Sequence, residues 1–142
     1  MIWKTPNLTL AGLNQRGQGT LVSTLGIEIT EIGPDFLRGR MPVDARTIQP
    51  IGLLHGGANV ALAETLASIA GNCAVDPKTS YIVGQEINAN HIRSVRSGWV
   101  EGTARALHLG SRSQVWEIKI EQGGKLLCVS RMTAAVLDKA TP

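Results

Sequence analysis

One long apolar segment constrains this chain more than any other feature. From residue 56 to residue 72 the sequence holds mostly Ala, Leu, Gly, Val and Ile, no proline, and a single charge at Glu64. Its length and pattern predict a helix that is apolar on nearly every side, which is typical of a helix buried within a domain. We therefore expect the other elements to wrap around it.

Glu64 is the residue of that helix that needs an explanation. A carboxylate in apolar surroundings loses its hydration, which costs several kcal/mol unless the group is paired, hydrogen-bonded or neutralised. An arginine partner is one explanation. Catalytic sites also use buried acids, and the apolar neighbours of Glu64 favour this second interpretation.

The helix begins at a His-Gly-Gly turn, residues 55–57. Free backbone N–H groups and the positive end of the helix dipole can receive a carbonyl oxygen or an oxyanion there. Gly56 and Glu64 are eight residues apart, or about 12 Å along a helix, so one chain cannot direct both at one atom. Two copies packed about a twofold axis can, which predicts an obligate dimer with a shared active site.

Length, charge and cysteine content restrict the class of protein. The 142 residues suit a single domain, 1–142, and the net charge of +3 is too small to imply nucleic acid as a partner. Two cysteines match no disulfide framework and no metal-ligand spacing, which favours a reduced interior. Residues 53–74 are long enough for a membrane span, but Asn59, Glu64 and Asn72 argue against lipid. We expect a soluble cytoplasmic protein.

Turn residues and periodicity divide the rest of the chain into helices and strands. Short helices are predicted within 1–25, a hairpin from 27–32 and 36–41, a loop over 42–50, and a tail over 138–142. Four further strands are predicted at 81–95, 99–109, 113–122 and 125–137, the last two joined at Gly123 and Gly124. The fold class is α+β, with a curved antiparallel sheet around the long helix.

Several polar residues lie near the central helix in sequence. Ser68 is one turn beyond Glu64 and could hold a water or a substrate oxygen, or its hydroxyl could bond back to the Glu64 carbonyl. His55 could act on substrate or satisfy local backbone groups, and Gln49 could act on substrate or belong to an ordinary loop. No hydrolase nucleophile elbow, metal cluster or phosphate-binding glycine signature is present. The remaining chemistry is a carboxylate, as base or nucleophile, acting on a polarised carbonyl in acyl transfer to water.

Six segments together resemble a known family. They are Met-Ile-Trp-Lys at 1–4, Met-Pro-Val-Asp-x-Arg-Thr at 41–47, Gln-Pro-x-Gly-Leu-Leu-His-Gly-Gly-Ala at 49–58, Ala-Glu-Thr-Leu at 63–66, Asn-Ala-Asn-His at 88–91 and Leu-His-Leu-Gly-Ser-Arg at 107–112. The chain is similar over nearly its whole length to the hotdog-fold acyl-CoA thioesterases. It most resembles the branch of the enterobactin proofreading and 1,4-dihydroxy-2-naphthoyl-CoA thioesterases.

The resemblance implies roles for particular residues. It implies a catalytic carboxylate at Glu64, thioester polarisation by the N–H near Gly56, a site end shaped by Gln49 and His55, and Ser68 beside the carboxylate from the other subunit. It implies that coenzyme A lies along Gly84, along His91, Ile92, Arg93 and Ser94, and along His108, Leu109, Gly110, Ser111, Arg112 and Ser113. The basic Arg93 and Arg112 would then meet the phosphates.

The resemblance also implies a homotetramer built as a dimer of dimers, with no metal and no cofactor besides the CoA of the substrate. The predicted function is hydrolysis of an aryl- or β-hydroxyacyl-CoA, with Glu64 as general base or nucleophile. Two alternatives are a non-catalytic acyl-CoA-binding hotdog protein and a hotdog hydratase or dehydratase. Ile51 stands where close relatives carry an aromatic residue, which affects the choice of acyl group.

Overall fold

The computed structural model describes residues 1–140. The elements, in chain order, are α1 Leu10–Arg16, α2 Leu21–Thr24, β1 Glu28–Ile32, β2 Phe36–Pro42, α3 Gly56–Cys73, β3 Ser80–His91, β4 Trp99–Leu109, β5 Ser113–Gln122 and β6 Lys125–Asp138. The six strands form one antiparallel sheet in the order β1-β2-β4-β5-β6-β3. This arrangement of one long helix against a curved sheet confirms the predicted hotdog architecture.

Hydroxyl caps and tight turns set the boundaries of the smaller elements. The Thr9 hydroxyl accepts from the Gly12 N–H at the start of α1, and Thr20 accepts from the Val22 N–H at the start of α2. Gly123 and Gly124 both have positive φ, 56° and 74°, as a two-residue hairpin with the twist of the flanking strands requires. These local signals explain why β5 and β6 meet where the sequence predicts.

Small residues in the sheet let α3 approach it closely. A Cβ built on Gly102 of β4 would lie 2.6 Å from Cδ1 of Leu66, and one on Gly39 of β2 would lie 2.7 Å from its Cδ2. Leu66 is fully buried between these strands, as is Leu62. Glycine in a strand interior often marks such a close approach, and here it allows the sheet to curve around the helix.

The sheet covers α3 on one side only, which corrects the prediction of burial on nearly every side. Its buried residues face the sheet: Ala58, Asn59, Leu62, Ala63, Leu66, Ala67, Ala70, Gly71 and Cys73. The opposite face carries Ala61, Thr65 and Ile69, which are half-buried, and Glu64, which is exposed. A single sheet can cover only one side of a helix, so an apolar open face remains on the single chain. Glu64 is therefore not a buried acid within one chain.

The two edges of the sheet differ. At β1, the side-chain amide of Asn14 accepts from the Ile29 N–H at 2.8 Å and donates to the Ile29 carbonyl at 3.0 Å, so α1 covers that edge. At β3, the Asn72 side chain accepts from the Ile82 N–H at 3.0 Å. From residue 83 to residue 91, the described backbone bonds only to β6. The β3 edge is thus open along most of its length.

Two predicted boundaries move in the structure. The predicted strand 81–95 ends as a strand at His91, because the chain then turns toward the α3 start, where the Leu54 N–H donates to Val95 at 2.8 Å. Of the predicted tail, Asp138 closes β6 and the Lys139 N–H donates to Thr79 at 2.8 Å, while residues 141–142 lie outside the described residues. Within residues 1–140, no helix is long and apolar enough to cross a membrane.

Candidate active site

His55 forms the N-cap of α3. Its Nδ1 accepts from the Gly57 N–H at 2.8 Å, so the neutral ring carries its proton on Nε2. The local backbone role considered for this histidine is therefore present. It leaves the Nε2–H donor of an exposed ring available at the turn.

The N–H of Gly56 is the free donor at the start of α3. The Ala58 and Asn59 N–H groups both donate to the His55 carbonyl, at 2.9 and 3.2 Å, and Gly57 donates to the His55 ring. Within residues 1–140, no protein acceptor bonds the Gly56 N–H. A helix N-terminus with one unpaired donor suits a carbonyl oxygen that gains negative charge during reaction.

His91 and Asn59 enclose this donor. A Cβ built on Gly56 would lie 2.9 Å from Nε2 of His91, so the imidazole covers the glycine. Asn59 is 4% exposed and its Oδ1 has no hydrogen-bond partner among the described residues. Together they bound a cleft of about 330 Å³, whose other walls are Gln49, Leu53, Leu54, Gly56, Ile92, Arg93 and Ser94.

Gln49 shapes the loop that precedes the helix. Its backbone accepts from Gly52 and donates to Leu53, and its side-chain oxygen accepts from the Ile51 N–H. Its side-chain NH2 bonds no acceptor in the described part of the chain and can donate within the cleft. Ile51 at the tip of this turn is 69% exposed, so in a single chain it does not line any acyl pocket.

An electrostatic network fixes the preceding loop. Arg46 donates to both carboxylate oxygens of Asp44, and these hydrogen bonds hold the pKa of Asp44 below its ordinary value. The Thr47 hydroxyl donates to the Pro42 carbonyl at 2.7 Å, while its own carbonyl accepts from the His55 N–H at 2.8 Å. The Met-Pro-Val-Asp-x-Arg-Thr segment therefore holds His55 and Gly56 in place.

Glu64 lies further along α3, in a second cleft. Its carboxylate packs over Gly84, since a Cβ on that glycine would lie 3.0 Å from Oε1. Ser68 lines the same cleft, and its hydroxyl lies 3.7 Å from the sulfur of Met132 rather than bonding the Glu64 carbonyl. Glu64 and Ser68 are thus together on the open face of α3.

A single chain brings some of the predicted residues together and separates others. Gln49, His55, Gly56 and the segment 91–94 meet at the α3 start, whereas Glu64, Ser68 and Gly84 meet elsewhere. The remaining predicted segment, 108–113, forms the end of β4 and the turn into β5, near the other end of α3. Along α3, Glu64 is about 12 Å from Gly56, so no single chain holds a complete set.

Neither cysteine lines the Gly56 cleft or the Glu64 cleft. Burial raises the pKa of the Cys128 thiol, and burial also raises that of Cys73 against smaller opposing effects of Thr5 and Arg16. Within the described part of the chain, no three His, Cys, Asp or Glu side chains are grouped as metal ligands would be.

Comparison with known proteins identifies the family. The thioesterase superfamily profile matches residues 51–129, the range that holds the α3 start and Glu64. The chain belongs to the thioesterase superfamily. It is 52% identical to the 1,4-dihydroxy-2-naphthoyl-CoA hydrolase of Escherichia coli, over 96% of this chain and 100% of that protein. It is 51% identical to the proofreading thioesterase EntH of Cronobacter turicensis, over 96% and 99%.

A solved structure agrees with this assignment. The thioesterase HI1161 of Haemophilus influenzae superposes with a TM-score of 0.94 at 49% identity, covering 97% of this chain and 96% of that one. The chain is therefore a thioester hydrolase with the hotdog fold, as the six sequence segments predict.

Sequence reasoning missed two features of this thioesterase. From the sequence, Asn59 is predicted only to disfavour a membrane span. Its position one turn into α3, however, places it on the same helix face as His55. The short helix α2, through Leu21 and Val22, forms one wall of the Glu64 cleft. Sequence spacing gives no signal for a contact between elements about 40 residues apart.

Proposed function

We propose that this thioesterase hydrolyses acyl-CoA thioesters with an aryl or β-hydroxyacyl group. The observation that carries the proposal is the unpaired Gly56 N–H at the start of the helix that also bears Glu64 on its open face. A polarising donor and a carboxylate are the two groups that thioester hydrolysis needs. The E. coli relative is named for a naphthoyl-CoA substrate, which supports an aromatic acyl group.

The complete site, in this proposal, forms between two copies. In each chain Glu64 lies beside Gly84, and the His55-Gly56-Gly57 turn lies beside His91. The two half-sites therefore lie at different positions along β3. Antiparallel pairing of two open β3 edges, centred between Gly84 and His91, brings Glu64 of one chain toward the His55-Gly56-Gly57 turn of the other. The open apolar face of α3 would then be covered, and Glu64 would lose solvent.

The reaction follows from this arrangement. The thioester oxygen accepts from the Gly56 N–H, and Glu64 either removes a proton from the water that attacks the carbonyl carbon or attacks that carbon itself. In both routes the C–S bond breaks and coenzyme A leaves as the thiolate, which takes up a proton. The attacking route passes through an anhydride that water then hydrolyses. Coenzyme A is part of the substrate, and no further cofactor is proposed.

The coenzyme A site is proposed along the three segments named by the family resemblance. Arg93 donates one N–H to the Leu126 carbonyl at 2.8 Å, and its other donors remain free for phosphate. Arg112 is exposed in the turn between β4 and β5. Because the 91–94 and 108–113 segments lie near opposite ends of α3, a CoA that meets both takes them from different chains.

A homotetramer is proposed from the outer face of the sheet. Apolar side chains there remain exposed near the turn between β4 and β5: Tyr81, Val83 and Leu137. A second dimer seated on this patch would remove it from water. The two free cysteines suit a reducing compartment, and we propose the cytoplasm.

The test is thiol release from a panel of CoA thioesters that contains benzoyl-, hydroxybenzoyl-, naphthoyl-, β-hydroxyacyl- and straight-chain acyl-CoA. The proposal expects catalytic release that is fastest with aryl or β-hydroxyacyl groups. Tight binding without release would establish an acyl-CoA-binding protein instead. Water addition to an enoyl-CoA without thiol release would establish a hydratase. Either result would overturn the proposed function.

A further inference from the structure

The Glu64 cleft continues beneath the N-terminal helices. That cleft, about 360 Å³, has Leu21 and Val22 of α2 on one side and Ala61 and Thr65 of α3 on the other. A neighbouring cleft of about 290 Å³ lies between α3 and the segment from α1 to α2. The two clefts share Val22, Ser68 and Ile69. They therefore form one groove that runs along α3 away from Glu64.

The walls of this groove are apolar for most of its length. Leu13, Val22, Ile69 and Cys73 line the section beyond Ser68, and Leu13 and Cys73 are almost fully buried. The groove spans the helix from Glu64 to Asn72, which is two turns, or about 12 Å. These dimensions suit one or two aromatic rings whose thioester carbon lies at Glu64.

Polar groups appear again at the far end, where Arg16, Thr20 and Asn72 line the groove. Two of these are committed to the fold. The Asn72 amide donates to the Ser68 carbonyl and accepts from the Ile82 N–H, both at 3.0 Å. The Thr20 hydroxyl donates to the Gly17 carbonyl at 2.7 Å and accepts from the Val22 N–H at 3.2 Å.

Arg16 differs from its two neighbours. Its side chain makes no hydrogen bond or salt bridge with any other described residue. Arg16 lines the groove together with Asn72 and Cys73. The end of the groove thus offers five uncommitted N–H donors in a planar fork, a geometry that matches a carboxylate.

We infer that Arg16 selects acyl groups that carry a carboxylate at the end remote from the thioester. The inference rests on the proposed function, because it takes the groove as the acyl subsite of that reaction. The substrate class is an aromatic acyl-CoA with a distal acid. A ring without such a group would occupy the apolar section of the groove and leave the Arg16 side chain in contact with water. Charge-assisted hydrogen bonds of this kind favour the acidic substrate by about tenfold or more.

A merely structural role for Arg16 makes a different prediction. A basic residue in the last turn of α1 interacts favourably with the helix dipole. Loss of that effect would loosen α1 and lower activity toward all acyl groups together. A change in the ratio of kcat/KM between two substrates that differ only in the distal group therefore separates the two roles.

The experiment compares 4-carboxybenzoyl-CoA with benzoyl-CoA in the full-length protein. We expect Arg16→Met to lower the ratio of their kcat/KM values by about tenfold, and Arg16→Lys to retain part of the preference. Lys125→Met removes one positive charge at the first residue of β6, outside the groove, and should leave the ratio as in the wild type.

Two results would overturn the inference in distinguishable ways. If the wild type hydrolyses both thioesters and Arg16→Met changes their ratio by less than about twofold, the distal selection is wrong while the proposed function stands. If the wild type releases thiol from neither substrate nor from the wider panel, the proposed function falls and this inference falls with it.

Discussion

The imidazole of His91, at the end of β3, covers the backbone of Gly56 at the start of α3. A Cβ on Gly56 would lie 2.9 Å from Nε2 and 3.2 Å from Cε1 of that ring, and the first distance is shorter than real Cβ atoms show. The two residues come from elements far apart in sequence. Any larger residue at this position would therefore have to displace the His91 ring or the first turn of α3.

Gly56→Ala should impair catalysis through this contact. The added methyl group must displace either His91 or the first turn of α3, and both changes move the N–H proposed to polarise the thioester. Small displacements of catalytic groups cost up to about a hundredfold in rate, and we expect a loss of this order in kcat/KM for benzoyl-CoA.

A double variant supplies the control for that experiment. His91→Ala removes the ring, so Gly56→Ala in the His91→Ala background should cost much less than it does in the wild type. Equal costs in both backgrounds would show that the ring contact does not govern the effect.

Glu64 is predicted to be essential for turnover. Glu64→Gln keeps the shape of the side chain but removes the base, and should lower kcat by about a thousandfold. Glu121→Gln, on an exposed part of β5, is the matched control and should keep the wild-type rate. Wild-type turnover by the Glu64 variant, with circular dichroism unchanged, would exclude Glu64 from the mechanism.

Single turnover in oxygen-18 water separates the two routes for Glu64. A nucleophilic carboxylate forms an anhydride with the acyl group, and water attack on its Glu64 carbonyl places label in the protein. A general base leaves the label in the released acid alone. Mass spectrometry of the Glu64 peptide reports which route the enzyme follows.

Gly102→Ala tests the close approach between β4 and α3. The new Cβ would lie 2.6 Å from Cδ1 of Leu66, which is fully buried, so the core must shift. Overpacking of this kind costs about 1–3 kcal/mol in the free energy of unfolding, measurable by urea titration. Leu66→Ala should reduce the extra cost of Gly102→Ala, and strict additivity of the two changes would contradict the contact.

Cys73 and Cys128 should resist thiol reagents in the folded protein. Burial raises the pKa of both thiols, so at pH 8 each remains protonated, and the thiolate is the reactive form. We expect slow reaction with Ellman's reagent in native buffer and rapid reaction of two thiols per chain in denaturant. Fast modification of either thiol without denaturant would contradict their placement in the core.

Much of the fold follows from local sequence signals. The Thr9 and Thr20 caps, the Gly123-Gly124 hairpin and the alternation in β5 depend on neighbouring residues, and their elements lie where the sequence predicts. The end of β3 at His91 does not follow locally, because the chain then turns toward the loop before α3, where the Val95 carbonyl accepts from the Leu54 N–H. Such bonds join segments about 40 residues apart, and no spacing rule reports them.

In the candidate site, too, local sequence signals predict some features and not others. The motif around Gly56 and Glu64 predicts which residues matter, and helix geometry predicts that one chain cannot unite them. The exposure of Glu64 in a single chain could not be predicted, because an apolar helix pattern does not say which partner covers each face. The groove that ends at Arg16 depends on how α1 and α2 fold back over α3, which is a tertiary contact.

Asn72 joins the groove along α3 to the start of β3. Its amide donates to the Ser68 carbonyl in the groove and accepts from Ile82 at the start of the open β3 edge. Replacing Asn72 to admit a bulkier substrate would also remove the hydrogen bond that it accepts from Ile82. Ile82 lies near the start of β3, the strand through which we propose that chains associate. Substitutions at Leu21, Val22 or Arg16 should therefore change the range of substrates more readily, because they leave the β3 edge intact.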